Sequence, residues 1–258
     1  MAGSLRICFA VERVFLVLDY FSHISDALRG QFITALSEKY RVIVLTRYLN
    51  EEAARRGNYF SNERIVYHQL ETNYPKLWTV FNVYMRHAFV RAFDHLYVTR
   101  SYYYRSTHPF LVRVLTALGQ FLPRRLAGTE MFTFWERVLA RPSPEFKSLV
   151  QKYRPCLLVT ARPGLSPFEA EMIIFAKNMR IPTAAININY DNPYSVAKFY
   201  RNTDYILTWN PTMKSQIEGL HSYPANRVLV AGCLRFDHYF KDGPAGFLPT
   251  RDAFLRSK

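Results

Sequence analysis

Cysteine is scarce in this sequence: three in 258 residues, Cys8, Cys156 and Cys233, far apart and without CxxC spacing. An odd, scattered set excludes a disulfide framework and points to a reducing compartment. The ten glycines form no GxGxxG, which excludes a dinucleotide finger. There is no Gly-Lys-Ser/Thr phosphate cradle, no HExxH or paired CxxC for zinc, and no GxSxG for a hydrolase serine. No apolar run approaches the roughly 18 uncharged residues of a membrane span. The stretch Met1–Tyr20 is apolar but carries Glu12, Arg13 and Asp19, which makes it a poor signal-peptide core. Acidic residues are also in deficit, 20 against 34 Lys and Arg. A domain this basic meets something negative: lipid headgroups, nucleic acid or a phosphorylated substrate.

What is present describes a folded chain. Hydrophobic residues make up 49% and aromatics 16%, which excludes disorder, and the length suffices for a full core. Val14–Leu18 and Val42–Leu45 are unbroken apolar runs. Such runs suit strands covered on both faces. Between them Tyr20–Ser25 reads as a polar loop, and Asp26–Lys39 predicts a helix with Ala27, Phe32, Leu36 and Tyr40 near one stripe. Ile65–Tyr67, Leu157–Thr160, Thr183–Ile188, Tyr205–Trp209 and Val228–Val230 predict further strands. Helices are expected from Pro167 to Met179 and from Pro211 to Leu220, each with proline in its first turn.

The segment from Lys76 to about Leu139 lacks strand signals, and Pro109 and Pro123 divide it into several helices. The alternation predicts an α/β fold: one doubly wound, Rossmann-like lobe over residues 1–240, with a mostly parallel sheet and a helical, basic insertion at about 76–140. The Gly/Pro-rich tail, 241–258, reads as a linker leaving the domain. Ligands of such sheets bind outside the carboxyl ends of the strands. That rule singles out Asp19–Ser25, Ala161–Ser166, Asn189–Lys198 and the surroundings of Asn210.

The C-terminal third also carries a resemblance. One strand is followed by Asn189-Tyr190-Asp191-Asn192, and the next ends in Trp209-Asn210. A helix then leads to His221 and Pro224, and the last strand leads to Ala231-Gly232 and to Phe236-Asp237 with Tyr239. In this order they resemble the end of the N-terminal lobe of bacterial glycosyltransferases of the two-lobed GT-B fold, in a group distantly akin to glycerophosphotransferases of wall-polymer synthesis. Tyr190 stands where that group has Trp, Pro193 follows Asn192, and no Gly follows Lys198. The tail PTRDAFLRSK resembles the bridge into the second lobe. The resemblance implies a GT-B-type acceptor lobe that binds no cofactor itself. It implies a nucleotide sugar as donor of the complete enzyme. Its partner would be a C-terminal donor-binding lobe or a partner chain, without which nothing is transferred.

In several GT-B families a His or Asp in the loop after the first strand acts as general base on the acceptor hydroxyl. The resemblance therefore assigns catalysis to His23, with Asp19 to orient it. Imidazole titrates near neutrality and a carboxylate can hold its tautomer, so the chemistry fits. The alternative is a surface-loop histidine. Asn189, Asp191 and Asn192 are candidate acceptor ligands, or else they form an Asx turn before Pro193. Arg162 would grip a substrate phosphate, or else makes a surface salt bridge with Glu169 or Glu171. Asn210 followed by Pro211 reads as a helix cap, and His221 as a cation at that helix's carboxyl end. No metal site is expected.

Lys76–Arg137 holds nine Lys and Arg against three Asp and Glu, with aromatics interleaved. Within it Arg100, Tyr102, Tyr103 and Arg105 are the candidate contacts to an anionic membrane surface, or else the aromatics are core and the arginines solvated. The expectation is a cytoplasmic protein, peripheral at the inner membrane face. Two functions follow. One is the acceptor-binding half of a glycosyltransferase, with no nucleic-acid partner. The other is a non-catalytic basic module for anionic lipid or nucleic acid, though no nucleic-acid-reading motif is present.

Overall fold

The unbroken apolar runs form strands whose side chains alternate between two covered faces. A computed structural model describes residues 12–28, 31–57, 59, 62–71, 110, 130–140, 142–163, 166–195, 199 and 202–236. They contain β1 (Arg13–Leu18), β2 (Arg41–Thr46), β3 (Ile65–Gln69), β4 (Leu157–Thr160), β5 (Thr183–Ile186), β6 (Tyr205–Thr208) and β7 (Val228–Val230). All six neighbouring pairs are parallel, in the order β3-β2-β1-β4-β5-β6-β7. The chain runs outward from β1 to β3, returns to β4 on the other side of β1, and runs outward again. The expected α/β, doubly wound lobe is therefore present, with a sheet that is wholly parallel among the described residues.

The helices are α1 (Phe21–Leu28), α2 (Gln31–Lys39), α3 (Glu51–Arg56), α4 (Glu130–Leu139), α5 (Pro144–Tyr153), α6 (Pro167–Asn178), α7 (Asn192–Ser195) and α8 (Pro211–His221). Phe15 and Val17 turn to one face of the sheet, beside Ile43 and Leu45, and meet Phe146 and Tyr153 of α5 and Phe168 and Phe175 of α6. Phe15 and Phe146 meet edge to face at 5.9 Å. Val14, Leu16 and Leu18 turn to the opposite face and meet Ile24 and Leu28 of α1, Ile33 of α2 and Ala54 of α3. This is the two-residue period of a strand buried on both sides. Full burial of each such side chain contributes about 1.5–3 kcal/mol. A third cluster packs Met213 and Ile217 of α8 against Ile206 and Val228.

Two differences from the sequence reading matter for the site. The expected loop Tyr20–Ser25 is largely helix α1, because Ile24, Ala27 and Leu28 share the buried stripe of a short amphipathic turn. The expected helix Asp26–Lys39 is described as α1 and α2, with residues 29–30 outside the described set. Helix α5 was not expected, although Ser143 caps it and Pro144 opens it, a first-turn proline like the one that announced α6. Most of the basic insertion, including Arg100, Tyr102, Tyr103 and Arg105, lies outside the described residues, as do Asp237, Tyr239 and the 241–258 linker. No helix among the described residues is long and apolar enough to cross a membrane.

Helix α6 closes on a left-handed residue, as do α5 at Arg154 and α8 at Ser222. The Ile181 N–H bonds to the Ala176 carbonyl at 2.9 Å and the Arg180 N–H to the Lys177 carbonyl at 3.0 Å. This paired pattern places Arg180 in the left-handed position, with φ +60°. Glycine is usual there. A side chain at that position costs about 1–2 kcal/mol.

Candidate functional site

The sheet order puts a topological switch point between β1 and β4, the two strands from which the chain winds in opposite directions. Ligands of open parallel sheets bind outside the carboxyl ends of the strands at such a point. Asp19 follows β1, Arg47 follows β2, Arg162 lies two residues past β4, and Asn187 follows β5. These four polar residues gather at that edge because parallel strands deliver all their carboxyl ends to one side.

Asp19 is fully buried, and its Oδ1 accepts from Arg47 Nε at 2.5 Å. The expected pairing of Asp19 with His23 is replaced by this ion pair. His23 sits in the first turns of α1, 2% exposed, and its Nδ1 has no partner among the described residues. Its ring lies 5.4 Å from that of Tyr20. Burial first, then the Arg162 and Arg235 guanidiniums, push His23 down to about 3. The imidazole is therefore neutral at pH 7, with its Nδ1 buried and without a partner among the described residues. It is neither a surface histidine nor a loop residue.

Beyond β4 the chain is curled by Thr160, whose Oγ1 donates to the Arg162 carbonyl at 2.6 Å. Arg162 is buried, its guanidinium 3.9 Å above the Tyr20 ring and its Nε 3.5 Å from Glu169 Oε2. The alternative of a surface salt bridge is corrected: the partner is Glu169, but the pair is enclosed. Ser166 and Glu169 form a reciprocal cap on α6, with the Glu169 N–H bonding to Ser166 Oγ at 3.1 Å. Glu169 is thus held at the start of α6, on the carboxyl side of β4. Burial pushes it up to about 7, against the pull of Arg162 and with help from nearby Asp19. Asp19 Oδ2, Arg162 Nη2 and Glu169 Oε1 have no hydrogen-bond partner among the described residues.

The Asn189–Asn192 segment forms the neighbouring wall. Asn189 Oδ1 accepts from Arg235 Nη2 at 3.1 Å, while the same Nη2 bonds to Asp26 Oδ2 of α1 at 2.6 Å. Arg235 thereby ties this wall to the helix that carries His23. Asp191 is exposed, whereas Asn192 is buried and its Nδ2 has no partner among the described residues. The Tyr194 N–H bonds to the Asp191 carbonyl at 2.9 Å, so the turn before Pro193 continues into α7. Trp209 is fixed by its Nε1 donating to the Asn187 carbonyl at 2.7 Å, and its ring stands 6.5 Å from Tyr190 and 5.8 Å from Phe236.

Asn210 is the cap expected of it, accepting from the Met213 N–H at 2.8 Å. His221 departs from the reading of a helix-end cation. It is buried, stacked on Phe199 at 3.9 Å, with Nδ1 accepting from the Phe199 N–H and Nε2 2.9 Å from the Pro193 carbonyl. Those partners place its hydrogen on Nε2 and make it a strut for the wall. The sequence reading missed Tyr20, Arg47 and Arg235. The strand-end rule that found Arg162 applies equally to Arg47, which directly follows β2. Arg235 has no local signal, because its partner Asp26 is 209 residues away.

No protein-family model matches the chain, and no curated protein matches it. Among solved structures it is similar to UDP-N-acetylglucosamine 2-epimerase from Rickettsia bellii, at 8% identity and TM-score 0.45, over 90% of this chain and 48% of that one. It is also similar to UDP-GlcNAc 2-epimerase from Neisseria meningitidis bound to UDP-GlcNAc, at 10% identity and TM-score 0.46, over 95% of this chain and 53% of that one. The chain spans about half the length of these two structures.

Proposed function

We propose that this chain is the acceptor-side lobe of a GT-B-type sugar-transfer enzyme, and that the crevice outside β1 and β4 receives a hydroxyl-bearing acceptor. One observation carries the reading. Asp19 Oδ2, His23 Nδ1, Arg162 Nη2 and Glu169 Oε1, from two sides of the switch point, are buried polar atoms without hydrogen-bond partners among the described residues. Each such atom costs about 1–3 kcal/mol when left unsatisfied. A mixed set of donors and acceptors suits a polyhydroxy ligand, which offers both. Tyr20, 44% exposed, provides a rim.

In the proposed reaction the acceptor oxygen forms a bond to the anomeric carbon of a nucleotide sugar. The bond to the nucleoside diphosphate breaks, and that group leaves with the electron pair. The acceptor proton passes to His23 Nδ1. A base as weak as this imidazole takes the proton late, once the new C–O bond has made the hydroxyl strongly acidic. Arg162 and Glu169 position the acceptor, with Asn189, Asp191 and Asn192 along the wall. Transfer needs a donor-binding lobe, in the same polypeptide or in a partner chain.

The test is NMR titration of the 258-residue chain, with the His23 ring signals identified by their loss in His23→Gln. Saccharide or polyol acceptors should shift those signals, and UDP-GlcNAc should not. Shifts from the nucleotide sugar alone, or no shifts from any saccharide, would overturn the proposal.

A further inference from the structure

At the opposite end of the sheet, outside the amino ends of β5, β6 and β7, lies an open cavity of about 530 Å3. Four of its lining side chains are cations: Arg137 from the last turn of α4, Lys177 and Arg180 from the end of α6, and Arg227 from the turn before β7. Asp204 is the carboxylate among them, and it is already committed. It pairs with Lys177 and accepts from the Thr183 backbone N–H at 3.0 Å and from Thr183 Oγ1 at 3.1 Å. Three guanidiniums are left around one cavity with no carboxylate partner among the described residues. Arg137 is aimed by its Nε, which donates to Asn178 Oδ1 at 3.1 Å, and its terminal N–H groups remain available.

Arg180 is held by the turn that closes α6, in the left-handed conformation in which Arg154 and Ser222 also close α5 and α8. The carboxyl end of α6 attracts cations by its partial negative charge, which favours Lys177 and Arg180 at this place.

We infer that this cavity is a second site, distinct from the crevice at the switch point, and that it binds a phosphate group through Arg137, Arg180 and Arg227. Guanidinium forks match phosphate oxygens two at a time, which lysine does not. Tyr205, 45% exposed at the rim, leaves room for the group that carries the phosphate. The phosphate belongs either to a soluble molecule or to a lipid headgroup.

The experiment titrates the full chain and its Arg180→Gly and Arg227→Gln variants with inorganic pyrophosphate, and in parallel with phosphatidylcholine vesicles containing phosphatidic acid. Pyrophosphate should bind, and each substitution should weaken it about fivefold. Arg180→Gly should at the same time raise the thermal midpoint by about 2–4 °C, which separates lost binding from lost folding. Vesicle binding that falls with the same substitutions and is displaced by pyrophosphate assigns the phosphate to lipid. Pyrophosphate binding without vesicle binding assigns it to a soluble ligand. Absence of both, or binding that neither substitution changes, would overturn the inference.

Discussion

Arg162 and Glu169 form an enclosed ion pair, Nε to Oε2 at 3.5 Å, with the Arg162 side chain 9% exposed and that of Glu169 fully buried. Enclosure makes the pair costly to assemble and more costly to break, because a lone buried charge keeps its desolvation penalty. Here the acid has a way out. Burial lifts Glu169 to about 7, so at neutral pH it stands near half protonation. Arg162→Met should therefore destabilise by about 2 kcal/mol, less than the 3–5 kcal/mol typical of a broken buried pair. Glu169→Gln should cost under about 1 kcal/mol at pH 7. In urea unfolding, the coupling between the two substitutions should be larger at pH 8.5 than at pH 5.5. Coupling that does not change with pH would show that Glu169 stays ionised throughout.

A second carboxyl on the same helix sets the stability profile above neutrality. Glu171 is buried, its Oε2 has no partner among the described residues, and burial alone pushes it up to about 8. Its folded value exceeds its unfolded value of 4.5, so the native state holds the extra proton. The resulting stability is fully present below pH 4.5 and is lost as pH rises through 8. Glu171→Gln should thus stabilise by about 2 kcal/mol at pH 9 and by less than about 0.5 kcal/mol at pH 4. His23 works in the other direction. Its folded value near 3 lies below its unfolded 6.5, so its share is present above pH 6.5 and lost as pH falls through 3. Thermal melts from pH 3 to 9, for the native chain and for Glu171→Gln, separate the two.

How far this was legible follows from what sequence patterns encode. Val14–Leu18 and Val42–Leu45 announced doubly covered strands because both faces demand apolar residues, and the structure pairs them in parallel. Asn210-Pro211 announced a helix start through its cap, and Pro167 announced another as a first-turn proline, because both are local chemistry. The strand-end rule, which depends only on topology, singled out the segments that hold His23 and Arg162, and the resemblance singled out His23 within its segment. The assignment of a loop to residues 20–25 failed because Ser22, His23 and Ser25 look polar while the tertiary contacts of Ile24 and Leu28 make the turn helical. The partner of Asp19 failed for a different reason. Arg47 and His23 are equally plausible on paper, and only the β1–β2 pairing brings the end of β2 to the Asp19 carboxylate.

Removing the buried His23 ring breaks no hydrogen bond at Nδ1 among the described residues, so its cost to the fold is one of packing. In an assembly that contains the donor lobe, His23→Ala should lower turnover by about 100-fold or more, the usual worth of a general base. The thermal midpoint of the isolated chain should fall by about 3–8 °C, the cost of the cavity, with unfolding still cooperative. With the native residue, the acid limb of the pH–rate profile should lie well below pH 6, following the depressed imidazole. Retained turnover would take His23 out of the chemistry, and a large loss of stability would make it a packing residue.

The bond from Arg235 to Asp26 makes a prediction about motion. Arg235 Nη2 reaches Asp26 Oδ2 and Asn189 Oδ1 together, so one guanidinium holds the Asn189–Asn192 wall against α1. The pair is partly exposed, with the side chains 39% and 18% accessible, and its contribution to global stability is about 1 kcal/mol or less. Its local effect should be larger than its global one, because no other side chain among the described residues is seen bridging Asn189 to α1. Asp26→Asn should leave the melting temperature within about 3 °C of the native chain. Amide exchange over residues 187–195 should quicken several-fold, while the core strand β1 stays protected. Exchange that quickens equally in β1 would mean that Asp26 supports the whole lobe, and unchanged exchange would mean that His221 alone secures the wall through the Pro193 carbonyl.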